Sequence, residues 1–292
     1  MGDFWGRRVA RLPDRGILLV ATDLQGNLGD YEAMKSLYEE EERAGAEPVL
    51  LFTGDLVHGP DARTARAWPS HLGSRYEDRS AELIIDYEKF AASARTLCLL
   101  GNHEHTHVGG PVVSKFHPDE GAVLEEALGE DRERIRAFIE TFPLVAISHC
   151  GAVFTHGAPR STEPDLATFE AIEYRGFERY STQDMYLAGT LGALLWARAA
   201  PPERVRAFLS ATSDGRAPNS FVAYGHDVVH EGYEKVGAEQ ICVSTSFGLA
   251  DGDKTYLRLD LSARYDSVDD LREGVEILRL YPDRVSVEGW PS

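Results

Sequence analysis

Five short apolar stretches of this chain each stop at a turn built from Gly, Asp, Asn or His. Residues 17–21 run into Thr22-Asp23-Leu24-Gln25-Gly26-Asn27, residues 48–52 into Gly54-Asp55-Leu56-Val57-His58-Gly59, and residues 97–100 into Gly101-Asn102-His103-Glu104-His105. Farther on, residues 151–155 end at His156-Gly157-Ala158-Pro159, and residues 221–224 end at Gly225-His226-Asp227. Continuous apolar runs this short suit strands buried on both faces. Amphipathic stretches at 31–43 and 81–94 separate the first three, with Tyr31, Met34, Leu37 and Tyr38 on one stripe of the first. A βαβαβ order predicts a parallel sheet layered with helices. Ligands of such sheets bind beyond the carboxyl ends of the strands.

The rest of the chain is read more coarsely. Residues 59–79 are polar, with Pro60 and Pro69, and read as a long loop. Residues 119–142 read as two helices, 144–147 and 151–155 as a strand pair, and 167–212 as mostly helical. Strands at 221–224, 241–246 and 255–261 follow one another and predict an antiparallel meander. Within 263–292, Val275, Ile277, Leu278 and Leu280 point to one packed strand or helix. No repeat or low-complexity linker divides the chain. The expected organisation is an extension at 1–16, one α/β domain at 17–262, and a packed segment at 263–292.

Charge narrows the partners. Of 292 residues, 30 are Lys or Arg and 48 are Asp or Glu, a net charge of -18. Phosphate backbones and anionic lipids need cations to replace their counterions, so neither nucleic acid nor a membrane is an expected partner. No apolar run reaches the ~18 residues of a membrane span. The first sixteen residues carry acid and lack an apolar signal core, which makes the cytoplasm the expected compartment. Cys98, Cys150 and Cys242 fit no disulfide framework or CxxC site, and read as buried free thiols.

The five strand ends offer Asp23, Asp55, Asn102, His156 and His226 to one crevice. Carboxylate, amide and imidazole together suit Mn, Fe or Zn. Asp-x-x-Gly-Asn, Gly-Asp, Gly-Asn-His-Glu, Phe-Thr-His-Gly and Gly-His in this order resemble the motifs of the calcineurin-like metallophosphoesterases. The stretch from His226 to Glu234, then Ile241 to Ser244, together with Leu194-Leu195-Trp196, is similar to the PPP-type serine/threonine phosphatases. The resemblance covers roughly 17–262. It implies two mixed β-sheets packed as a sandwich flanked by helices, with two divalent metal ions, Mn first and Fe or Zn as alternatives. By motif, Asp23 and Gln25 would face the first metal and Asp55 would bridge both. Asn102, His156 and His226 would complete the second. A hydroxide shared by the metals would attack phosphorus in line, and His103 would protonate the leaving oxygen. Glu104 would orient the motif.

The chain departs from that pattern in three places. The family's first motif is Asp-x-His, and here the position is Gln25. Three outcomes stand open: Gln25 ligates through its carbonyl oxygen, water takes its place, or the first site holds no metal. PPP-type enzymes continue Gly-Asp-x-Val-Asp-Arg-Gly, whereas this chain has His58 and Gly59 in place of the Asp and Arg. Arg63, Arg66 and Arg198 are candidates to supply the missing phosphate cation. His58 would pair with substrate or with His103, or serve a structural role. His105, His107, Lys115 and His117 are candidates for the substrate mouth, while His149 reads as structural and His230 as a weak candidate ligand. The expected reaction is phosphomonoester hydrolysis on a phosphoprotein or small metabolite. Two alternatives are hydrolysis of an amide or guanidinium group and a non-catalytic binding role.

Overall fold

The computed structural model describes residues 6–60, 62–215 and 218–286. Its strands are β1 (Val9–Arg11), β2 (Ile17–Ala21), β3 (Val49–Phe52), β4 (Thr96–Cys98), β5 (Val145–Ile147), β6 (Ala152–Thr155), β7 (Phe221–Tyr224), β8 (Tyr233–Val236), β9 (Gln240–Val243), β10 (Thr255–Asp260) and β11 (Ile277–Arg279). Its helices are α1 (Leu28–Arg43), α2 (Ala62–Ala67), α3 (Ser80–Ala91), α4 (Asn102–His105), α5 (Glu120–Leu128), α6 (Arg132–Ile139), α7 (Leu166–Glu170), α8 (Thr182–Met185), α9 (Gly189–Trp196) and α10 (Pro202–Thr212).

Two mixed sheets form, with strand orders β1-β5-β6-β7-β9-β8 and β11-β10-β2-β3-β4. Period-2 alternation decides which core each side chain enters. Leu18 and Val20 of β2, with Val49 and Leu51 of β3, face Ala152, Phe154, Phe221 and Ala223 of the other sheet. Their neighbours Leu19, Ala21, Leu50 and Phe52 turn the other way, onto Tyr31, Met34, Leu83 and Tyr87 of α1 and α3. Each of these strand residues is buried on one face or the other, which is why the runs read as continuously apolar. Full burial of such a side chain is worth ~1.5–3 kcal/mol. The expected single-domain sandwich flanked by helices is what forms.

Local chemistry shifts several boundaries. The first long helix starts at Leu28 rather than 31, because Asn27 caps it by accepting from the Asp30 N–H. Asp30 then meets Lys254, Tyr281 and Ser246 in a buried polar knot joining α1 to the C-terminal third. The expected loop at 59–79 contains α2 and a single 3-10 turn, Ser70–Leu72. Residues 1–16 are more than an extension, since β1 pairs in parallel with β5. The expected meander does not form. β7 pairs in parallel with β9, β8 folds back antiparallel beside β9, and β10 crosses to the other sheet. The packed element of the C-terminal segment is β11, antiparallel to β10.

Candidate metal centre

The turns after β2, β3 and β7 converge because their backbones bend sharply. Asp23, Gln25, Asp55, His58 and His226 all have positive φ, between 40° and 68°. Gly54, at φ 104°, lets the second turn approach the third: a Cβ there would lie 2.6 Å from the Gly101 nitrogen. Glu104 ties the two turns together. Its Oε1 accepts from the N–H groups of Leu56 (2.8 Å) and Val57 (3.3 Å), and its Oε2 from those of Asp55 (2.8 Å) and Gly101 (3.1 Å). Burial, with Asp55 nearby, pushes its pKa upward, and these donors oppose that. Glu104 therefore shapes the site from behind, as its motif implies.

Asp55, Asn102, His156 and His226 form one cluster. His156 Nε2 lies 2.9 Å from Asn102 Oδ1, 3.0 Å from His226 Nδ1 and 3.5 Å from Asp55 Oδ1. The other nitrogen of His156, Nδ1, lies 3.0 Å from the Thr53 carbonyl oxygen. A carbonyl only accepts, so Nδ1 carries the proton and Nε2 presents its lone pair to the cluster. His226 Nε2 is buried without a hydrogen-bond partner. Burial pushes Asp55 up to about 7, and lowers His156 and His226 into the neutral form that binds metals. A carboxylate, an amide oxygen and two neutral imidazoles fit a divalent cation of the Mn, Fe or Zn type.

The first subsite fits less well. Both carboxylate oxygens of Asp23 accept from the His226 N–H, at 3.1 and 3.0 Å, and burial pushes this acid up to about 7. The Gln25 carbonyl oxygen accepts from Lys115 Nζ at 3.2 Å, and the Gln25 side chain also interacts with Asp55. The one neutral acceptor that Gln25 could offer a cation is thus engaged by an ammonium group. Asp55, Asp23 and Glu120 all attract that ammonium, and Phe247 lies beneath it with the ring centroid 3.7 Å away.

His103 sits beside the cluster, its Nε2 3.9 Å from Asp55 Oδ2. Its Nδ1 faces His58 Nδ1 at 3.1 Å and Glu120 Oε2 at 3.3 Å. The carboxylate that position 58 lacks is therefore supplied by Glu120, from the first turn of α5. Sequence reasoning missed Glu120. The available signal was Asp119, an N-cap that starts a helix with an acid in its first turn. His58 pairs with His103, one of its expected partners, and is absent from the cleft lining.

A cleft of about 360 Å³ opens over these groups, lined by Gln25, Asp55, Asn102, His103, Lys115 and Arg198 among others. Trp196 and Tyr186 give it an aromatic wall. His105 is absent from that lining, contrary to expectation. It is buried, bonded through Nε2 to the Tyr174 carbonyl oxygen at 2.8 Å, and packed on Phe177; burial lowers its pKa to about 4. His107 is also turned inward, with Nε2 3.0 Å from His58 Nε2. Arg198 reaches the cleft half-exposed and pairs with Asp227. The Arg63 side chain lies outside the described residues. Arg66 is exposed on α2, His117 is half-buried, and neither lines the cleft. His149 bonds Asp14 and Asp214, consistent with a structural role, and His230 is exposed. Among the described residues no helix is long and apolar enough to cross a membrane.

The same architecture occurs in a solved structure. A protein serine/threonine phosphatase from Saccharomyces cerevisiae, described as similar to human phosphatase PP5, superposes with a TM-score of 0.56 at 15% identity, over 90% of this chain and 81% of that one. A metallophosphoesterase from Sphaerobacter thermophilus gives 0.42 at 15% identity, over 86% and 85%. No curated protein sequence matches the chain. The family model for calcineurin-like phosphoesterases matches residues 17–242, a span that takes in every strand-end turn of the cluster. With the sandwich, the converging turns and that match in agreement, the chain belongs to the calcineurin-like phosphoesterase family.

Proposed function

We propose that the chain hydrolyses phosphomonoesters, either on a phosphorylated peptide or on a small phosphorylated metabolite. The observation that carries this reading is the pair of cations, Lys115 and Arg198, lining the same cleft as Asp55, Asn102, His103 and His226. Two cations beside the metal donors favour an anionic substrate and repel a guanidinium group. They are candidates to replace the phosphate-binding Arg that the second motif lacks.

Asp55, Asn102, His156 and His226 would hold a divalent cation. When bound, it would supply Lewis acidity to water and to the phosphoryl oxygens. Lys115 and Arg198 would bind the phosphate oxygens and fix the ester's orientation. Trp196 and Tyr186 would exclude water on the leaving-group side. His103, with Nδ1 3.3 Å from Glu120 Oε2, would in its protonated form offer Nε2–H to the leaving oxygen, a contribution of ~10²–10⁴-fold for general acids of this kind.

The test is hydrolysis of p-nitrophenyl phosphate and of its diester, after chelation and again after adding Mn. Loss on chelation, recovery with Mn and preference for the monoester are expected. Absence of phosphate release at every metal loading would overturn the reading.

A further inference from the structure

We infer that His58, His103 and Glu120 form a second, separate metal site behind the cleft, taking a tetrahedral cation of the zinc class. The three donor atoms make a compact triangle. His58 Nδ1 to His103 Nδ1 is 3.1 Å, His103 Nδ1 to Glu120 Oε2 is 3.3 Å, and His58 Nδ1 to Glu120 Oε2 is 3.6 Å. All three residues are at most 3% exposed. They form a ligand set apart from the cluster of Asp55, His156 and His226.

The triangle's size selects the cation. Zinc bound at ~2.0–2.2 Å in tetrahedral geometry spaces its ligands about 3.3–3.6 Å apart. Octahedral magnesium at ~2.0–2.1 Å would space them about 2.8–3.0 Å apart. Two of the three observed edges, 3.3 and 3.6 Å, fall in the first range, and none falls in the second. Two imidazoles and one carboxylate are also ligands that magnesium takes poorly and zinc takes readily.

With both imidazole rings neutral, hydrogen bonding leaves this cluster unsatisfied. One proton can lie between the two Nδ1 atoms, but Glu120 Oε2 is then buried with no partner. A cation at the centre of the triangle would satisfy all three atoms. The surroundings also support the ligands from outside, as bound metals require. His58 Nε2 reaches His107 Nε2 at 3.0 Å, and His107 continues to Glu125 and Arg136. Glu120 Oε1 accepts from the Phe116 N–H.

The consequence concerns His103. Coordination through Nδ1 leaves the ring proton on Nε2, the atom that faces Asp55 and the cleft. Bound this way the ring stays neutral and its Nε2–H is too weak an acid to protonate a leaving group, so the cation would hold His103 out of general-acid catalysis. The site goes beyond the proposed phosphatase reading and shares His103 and Glu120 with it.

The experiment is elemental analysis of the full chain loaded with zinc and freed of excess by gel filtration. The wild type is compared with Glu120→Gln, His58→Phe and His226→Ala. One equivalent fewer in each of the first two is expected, with a further independent loss in the third. Loss in Glu120→Gln and His58→Phe with none in His226→Ala would support this site and count against the cleft metal. Loss only in His226→Ala would overturn the inference. Zinc-soaked crystals of the wild type avoid any folding defect in the variants: anomalous density between the three atoms is expected, and its absence at saturating zinc overturns the site.

Discussion

Replacing Glu104 by Gln tests whether this buried acid supports the site or ligates within it. The side chain keeps its shape but exchanges one acceptor oxygen for a donating NH2 group. Each carboxylate oxygen accepts two backbone N–H groups, Leu56 and Val57 on one, Asp55 and Gly101 on the other. Whichever way the amide turns, two N–H groups lose their acceptor and face another donor. A buried donor left unpaired costs ~1–3 kcal/mol, so the variant should lose about 2–6 kcal/mol of stability. The Asp55 turn should also loosen, weakening metal binding. Denaturant unfolding with linear extrapolation measures the first effect and a metal titration the second. The reasoning is refuted if the unfolding free energy stays within ~0.5 kcal/mol of wild type. Weakened metal binding at unchanged stability would point instead to Glu104 as a ligand.

His105 makes a pH prediction. Burial holds its native pKa at about 4, against 6.5 for an unperturbed imidazole. Between those limits the unfolded chain binds more protons than the native one, so stability rises with pH across that window and is lost as pH falls through it. The full loss is about 3 kcal/mol, and His105→Gln should flatten the slope; superimposable pH profiles would count against this. Lys115→Met and Arg198→Met should raise KM for a phosphomonoester, Lys115 by about ten- to a hundredfold and the Asp227-paired Arg198 by less. A change in kcat alone would contradict phosphate binding by these residues. Lys254→Met should cost about 3–5 kcal/mol, because it leaves the buried Asp30 carboxylate without its cation, 2.8 Å away. An unfolding midpoint equal to that of wild type would show that Asn27, Ser246 and Tyr281 suffice.

What the sequence made legible follows from range. The strand-end turns were readable because each donor lies within a few residues of its own apolar run, and β2, β3 and β4 pair in sequence order. β1 was not, since a three-residue Val-Ala-Arg strand carries no periodic signal and is fixed by distant partners, β5 and the Glu170 carboxylate, over a hundred residues away. The meander failed for a related reason: adjacency in sequence says nothing about β10 crossing between sheets. Glu120 replaces an acid expected at 58 from a helix start 62 residues later, a relation that exists only in space. His105 misled by position. It follows the third motif directly, yet the turn of α4 that points His103 at the cleft sends His105 toward Tyr174.

Five of the six non-glycine residues with positive φ among those described belong to this centre: Asp23, Gln25, Asp55, His58 and His226. A left-handed backbone costs most residues ~1–2 kcal/mol and is least costly for Gly, Asn and Asp. Backbone conformation thus filters which mutations a lineage can accept at these positions. Val or Ile would damage folding and be removed early. Asn or Gly would silence the chemistry while leaving the protein foldable and abundant. Inactive descendants of this chain should accumulate Asn and Gly at the five positions, so that lost catalysis is recorded there as a narrow substitution signature.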